Sequence, residues 1–204
     1  MIDEAFNQFN SSIAFVKNLN SVFTRFSATA GIDLSDVLRS EFVMAVSAFD
    51  SYVHQVTEEG MCEILLKKRA ATPSYLKFRV SLDSFLEGGV EPESPEGDRW
   101  LRNEVHEIHS TKTFQRPDDV ADALRLVTNK KLWIEVARVL KDDPGNVKRR
   151  LDLIVVRRNQ IVHEADLIYD PISPGGRWPI DQAMTVKAVD FVESVVGAIH
   201  TVIK

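Results

Sequence analysis

The sequence predicts an all-α protein, a helical bundle of five or more helices. Three observations carry that expectation. Apolar residues recur at helical spacing along most of the chain. All eight prolines (73, 92, 95, 117, 144, 171, 174 and 179) fall between segments of helical periodicity and interrupt none. No segment sustains the period-2 alternation that, with turn dipeptides, marks strands.

The elements follow in order. A first helix is expected from Asp3 to Phe26, with Phe6, Phe9, Ile13, Val16, Leu19 or Asn20, and Phe23 on one apolar face. A second begins after Gly31-Ile32, capped by Asp33 or Ser35. Its stripe is Leu34, Leu38, Phe42, Ala45, Phe49, Val53 and Val56, and it continues past Gly60 to Lys68 as a long central helix. Pro73 opens a third helix over TPSYLKFRVSLDSFLEG, stopped by Gly88-Gly89. The stretch VEPESPEG reads as an acidic loop, and shorter helical patterns run from Arg99 to Ser110, Asp118 to Val127 and Lys131 to Leu140. Residues 69–143 are the least regular part and read as a helical elaboration beside a simpler bundle, within one domain over 1–204.

The next helix begins after Asp143-Pro144-Gly145-Asn146. Val147, Leu151, Ile154, Arg158, Ile161 and Ala165 keep the 4-3-4-3-4 spacing of a buried stripe. Arg158 stands where an apolar residue is expected. After the loop YDPISPGGRWP, Pro179-Ile180-Asp181 leads into a last helix to Ile203 along Met184, Ala188, Phe191, Val195, Ile199 and Val202.

Composition narrows the function classes. A chain of 204 residues suits one domain, or one with a substantial insertion, and 44% hydrophobic with 27% charged residues is ordinary globular usage. A single cysteine, Cys62, excludes an internal disulfide framework and a cysteine-based zinc site. The net charge of −5 argues against a broad surface that coats nucleic acid, so any RNA contact must be local. With no charged-then-apolar leader and no apolar run near 18 residues, a soluble cytoplasmic protein without membrane contact is expected. There is no P-loop, dinucleotide-binding glycine pattern, nucleophile elbow or kinase signature, and no cofactor is expected.

The chemistry concentrates in Arg158-Asn159-Gln160-Ile161-Val162-His163, inside KRRLDLIVVRRNQIVHEADL. Arginine holds a phosphate bidentately, and histidine is the side chain best suited to moving protons near neutral pH. On an ideal helix Arg158 and His163 lie about 140° apart around the axis and roughly 7.5 Å along it. A long guanidinium can bridge that offset. The arrangement works better when a second copy faces it, which is a geometric motive for a homodimer. Residues 141–158 hold six Lys/Arg against three Asp, so Lys148, Arg149, Arg150 and Arg157 offer an RNA path, or else a solvated helix face.

This segment, a Pro/Gly loop after it and an amphipathic terminal helix resemble the HEPN superfamily, marked by an Arg, a following polar residue and a His four to six residues beyond the Arg. LRSEFVMAVSAFDSYVHQV is similar to the first core helix of the RiboL-PSP branch. The resemblance covers the central helix and residues 146–204 well and residues 69–143 poorly. It implies a metal-independent endoribonuclease, with Arg158, Asn159 and His163 as catalytic residues and two motif copies facing across a homodimer cleft. It also implies a toxin, abortive-infection or phage-defence setting, with an antitoxin protein as a partner. Some relatives have lost activity and bind nucleotides or proteins. In the resemblance the central helix packs on the motif helix, so Asp50, with Ser47 and His54 on the same helix, could orient Arg158 or His163; alternatively Asp50 pairs with His54 or a surface lysine.

Bland readings stand beside these. Arg158 could be a buried arginine paired with Asp50, Glu164 or a C-terminal acid, and His163 could serve a helix C-terminus. An enzyme needs the two side chains solvent-reachable with unpaired donors; a binding module needs them buried and hydrogen-bonded to their own chain. Glu104, His106, Glu107 and His109 invite a metal reading, but an exposed charged helix accounts for them better. His200 reads as packing. Trp100, Trp133 and Trp178 read as core anchors, although Trp178 could stack a base if its loop borders the cleft. A helical DNA-binding protein is disfavoured by the acidic balance.

Overall fold

A computed structural model describes residues 2–27, 29, 31–88, 97–168 and 176–204. The described residues form eight α-helices: α1 Ile2–Phe26, α2 Ser35–Leu65, α3 Leu82–Gly88, α4 Arg99–His109, α5 Pro117–Leu124, α6 Leu132–Leu140, α7 Pro144–His163 and α8 Gln182–Ile203. A 3-10 turn at Tyr75–Lys77 interrupts them. The only β feature among the described residues is one isolated bridge between Leu167 and Arg177. The all-α expectation is met.

The bundle is organised around α2, which touches α1, α4, α5, α7 and α8. Leu38, Phe42, Ala45, Phe49, Val53 and Val56 of its stripe are all buried, as are Ala188, Phe191, Val195, Ile199 and Val202 of α8. Residues 69–143, expected as an elaboration, supply Leu101, Val105, Val120, Leu124, Trp133 and Val136 to the same hydrophobic cluster that α1, α2, α7 and α8 build. On α1, Phe9, Ile13 and Val16 of the apolar face are buried and Phe6, Leu19 and Phe23 partly so, while Phe26 at the far end of the helix is exposed. The VEPESPEG loop, and most of the loop between α7 and α8, lie outside the described residues.

The single helix expected over TPSYLKFRVSLDSFLEG is instead a 3-10 turn, an extended stretch and the short α3. Tertiary hydrogen bonds explain the break. The Thr72 hydroxyl bonds to the carbonyls of Arg125 and Leu126 at 2.9 and 3.1 Å and accepts from the Tyr75 amide. Further on, the Ser81 amide donates to Glu104 at 2.6 Å. Long-range partners outweigh a helix propensity worth only tenths of a kcal/mol per residue.

Past Gly60, α2 continues as expected but ends at Leu65, short of Lys68, and packing explains why position 60 is a glycine. A Cβ there would lie 2.5 Å from Cγ1 and 2.8 Å from Cβ of the buried Val127. Gly60→Ala gains ~1 kcal/mol of helix propensity but overpacks a stiff β-branched neighbour at a cost of ~1–3 kcal/mol. A net loss of stability is expected in denaturant unfolding; a stabilised variant would show that Val127 moves freely.

Helix α4 is not the exposed charged helix expected. His106 and Glu107 face solvent, but Glu104 and His109 are buried. The His109 ring lies edge-on to Phe78 and Phe114, with centroids 6.1 and 5.1 Å away, and 6.3 Å from the His54 ring. Burial pushes its pKa down from 6.5 to about 4, and Lys112 and His54 add to the effect. The unfolded chain therefore binds a proton in a pH range where the folded one does not. Stability tied to His109 is complete above pH 6.5 and lost as pH falls from there towards 4. His109→Phe, which keeps a ring in the cage, is expected to flatten the fall of melting temperature over that window.

Candidate functional site

The sequence sets up the motif helix locally. Asp143 caps α7, its Oδ1 accepting from the amides of Gly145 and Asn146 at 2.8 and 3.1 Å, and Pro144 occupies the first turn, where it needs no amide partner. Val147, Leu151, Ile154 and Val155 bury the inner face. Arg158 takes the next stripe position, where burial becomes partial. Its Nη1 donates to Asn159 Oδ1 at 3.1 Å, while its Nε is buried without a hydrogen-bond partner. It makes no ion pair among the described residues. A buried unmade hydrogen bond costs about 1–3 kcal/mol, more beside a charge.

His163 is the last residue of α7 and is exposed, with no hydrogen-bond partner among the described residues. On the same outer face, within about 80° of arc, lie Leu153 and Val156, apolar yet 63% and 43% exposed. The end of α7 thus carries a partly buried guanidinium, an amide and an imidazole without a partner among the described residues, with exposed Leu153 and Val156 further back along the helix.

The expected supporting residues are placed differently. Asp50 does not reach Arg158 or His163. Its carboxylate accepts from the Phe114 amide at 2.6 Å and Gln115 Nε2 at 3.0 Å, with His54 Nε2 at 3.8 Å, and so fastens the loop after α4. Ser47 is exposed on α2. Arg157 is no open RNA contact: both its terminal nitrogens bond the fully buried Asp166. Lys148 pairs with Asp118 at 2.8 Å, Arg149 bonds Asn146, and Arg150 lies over the Phe191 ring at 4.1 Å. Of these last three contacts only Lys148–Asp118 is an ion pair, and an exposed pair contributes ~0–1 kcal/mol.

Sequence reasoning missed the structure that holds this end of α7 together. Arg39 of α2, itself buried, donates from Nε to Asp166 Oδ2 at 2.5 Å, from Nη1 to Ser35 Oγ at 2.6 Å and from Nη2 to the Trp178 carbonyl at 2.9 Å. With Arg157 it forms a clasp of two guanidiniums on one carboxylate. Ala165 and Asp166 both sit in the left-handed region, at φ 50 and 60, to turn the chain into it. The one sequence signal was an arginine beside the apolar stripe of α2, with nothing to name a partner 127 residues away.

Among the described residues no group of three or more His, Cys, Asp or Glu side chains is placed to hold a metal ion. No helix there is long and apolar enough to cross a membrane.

An all-α bundle with an Arg-Asn-x-x-x-His segment closing its penultimate helix is a HEPN-type protein. More narrowly, the chain belongs to the family described as RiboL-PSP-HEPN, which matches residues 5–204 and so includes the poorly resembling stretch 69–143. That membership suggests a nuclease-like or nucleotide-related function. Comparison with curated proteins found no match, and comparison with solved structures found none either.

Proposed function

We propose that this protein is a metal-independent endoribonuclease acting as a homodimer. The observation that supports the reading is the end of α7: Arg158 is only partly buried and makes no ion pair among the described residues, and His163 is exposed with no hydrogen-bond partner among them. A module that used the motif only for its own architecture would have both side chains satisfied within the chain.

The neutral His163 imidazole takes the proton of a ribose 2′-hydroxyl, and the freed oxygen attacks the adjacent phosphorus. The phosphorus–O5′ bond breaks, and the departing oxygen takes a proton from the imidazolium of the symmetry mate. Arg158 neutralises charge that accumulates on the non-bridging oxygens, and Asn159 holds the guanidinium or donates to phosphate. The products are a 2′,3′-cyclic phosphate and a 5′-hydroxyl. A second copy set against α7 would cover Leu153 and Val156 and supply the second histidine. Lys148, Arg149 and Arg150 would lead the strand along the helix. The family resemblance extends the reading to a toxin or phage-defence effector restrained by an antitoxin protein.

The test is purified protein with a single-stranded RNA and the DNA of the same sequence, in EDTA. Cleavage of RNA alone, ending in cyclic phosphate, is expected. Equal cleavage of DNA, or complete dependence on added metal, would rule the mechanism out.

A further inference from the structure

Trp178 is fixed without being buried. Its amide donates to the Asp166 carbonyl at 2.9 Å, and its carbonyl accepts from Arg39 at 2.9 Å and from Arg157 at 3.5 Å. On one side the Ile168 amide bonds the Gly176 carbonyl at 2.7 Å; on the other the Pro179 carbonyl takes Arg157 at 3.4 Å. Its own amide and carbonyl are both tied to the buried clasp, yet the residue is 44% exposed. The indole has no ring or hydrogen-bond partner among the described residues. Asp166, to which it is tied, lies three positions past His163, so the Trp178 backbone sits within about 16 Å of the imidazole's backbone even for a fully stretched connection.

The charge beneath it is balanced. Arg39, Arg157 and Arg177 stand against Asp33, Asp36 and Asp166, with Arg177 and Asp36 paired at 2.6 Å and Arg39 and Asp36 at 3.5 Å. A phosphate gains little there. A neutral, flat, polarisable face gains most, because an indole stacks it over a large apolar area and only two side-chain torsions are restricted.

We infer that Trp178 is a stacking platform for a nucleobase of the strand whose phosphodiester lies at Arg158 and His163, confining the site to single-stranded RNA. The inference rests on the nuclease reading for its substrate but adds a residue and a strand preference to it. A paired base cannot offer its face to an indole without leaving the helix stack.

The experiment uses full-length His163→Ala, so that RNA survives titration, and reads tryptophan fluorescence. Unpaired oligoribonucleotide is expected to quench the emission, duplex of the same sequence to quench far less, and the signal to disappear in His163→Ala/Trp178→Phe, where the other two tryptophans remain. In the active protein Trp178→Ala is expected to raise KM roughly 5- to 150-fold, the equivalent of one base–aromatic stack, with Trp178→Phe recovering most of it. Normal RNA cleavage by Trp178→Ala overturns the platform and leaves the nuclease standing. Quenching by single strands with no cleavage by the parent protein supports the platform and overturns the nuclease. A tryptophan signal that follows protein dilution and ignores RNA places Trp178 between two copies of the chain and overturns the stacking role.

Discussion

Replacing His163 with alanine is expected to lower RNA cleavage by ~10²–10⁴-fold, the worth of a positioned proton-transfer group, while the protein keeps its fold. The side chain is exposed at the last residue of α7 and has no hydrogen-bond partner among the described residues, so its loss removes little buried structure. Unfolding free energy should stay within about 0.5 kcal/mol of the parent. Arg158→Lys separates charge from geometry. Lysine keeps the positive charge but not the planar fork that grips two phosphate oxygens, so cleavage should fall here too. Parent-level cleavage by His163→Ala, measured on the same RNA, would remove the imidazole from the mechanism.

A loss of ~3–5 kcal/mol in stability is expected for Asp166→Ala. Asp166 is fully buried, and its carboxylate is shared by Arg39 and Arg157, whose side chains are 6% and 14% exposed. Taking away the acid leaves Arg157 without an ion partner among the described residues and Arg39 with only the looser Asp36 contact at 3.5 Å, and an uncompensated buried charge costs far more than an exposed pair contributes. Alanine also tolerates φ of 60 less well than aspartate does. The double variant Arg39→Met/Asp166→Ala leaves one fewer charge stranded and should recover part of the loss. Chemical denaturation reads both; a change below ~1 kcal/mol in Asp166→Ala would mean that water reaches the clasp.

How much of this was legible in the sequence divides along a physical line. Helices whose stripes repeat over several turns could be read directly. Leu38 through Val56 on α2 and Ala188 through Val202 on α8 are buried as their spacing requires. The motif was legible too, because Arg158 breaks a local pattern and pattern breaks need no partner to be seen. The segment 72–88 was misjudged because its fate is decided by Arg125, Leu126 and Glu104, distant residues whose bonds no local period encodes. Asp50 and Arg157 were assigned by proximity to the motif along a helix, while their partners, Phe114 and Asp166, are set by how the chain turns back. The clasp itself joins residues from opposite ends of the sequence, and pairing at that range leaves no trace in composition or spacing.

The same long reach has a consequence for the timing of synthesis. Arg39 can close on Asp166 and the Trp178 carbonyl only after those residues have been made, and Arg69 meets the carbonyl of Ile203, on the last helix, at 2.7 Å. Contacts that span most of the polypeptide form late. A growing chain that has not yet reached Trp178 therefore lacks the braces that set the end of α7.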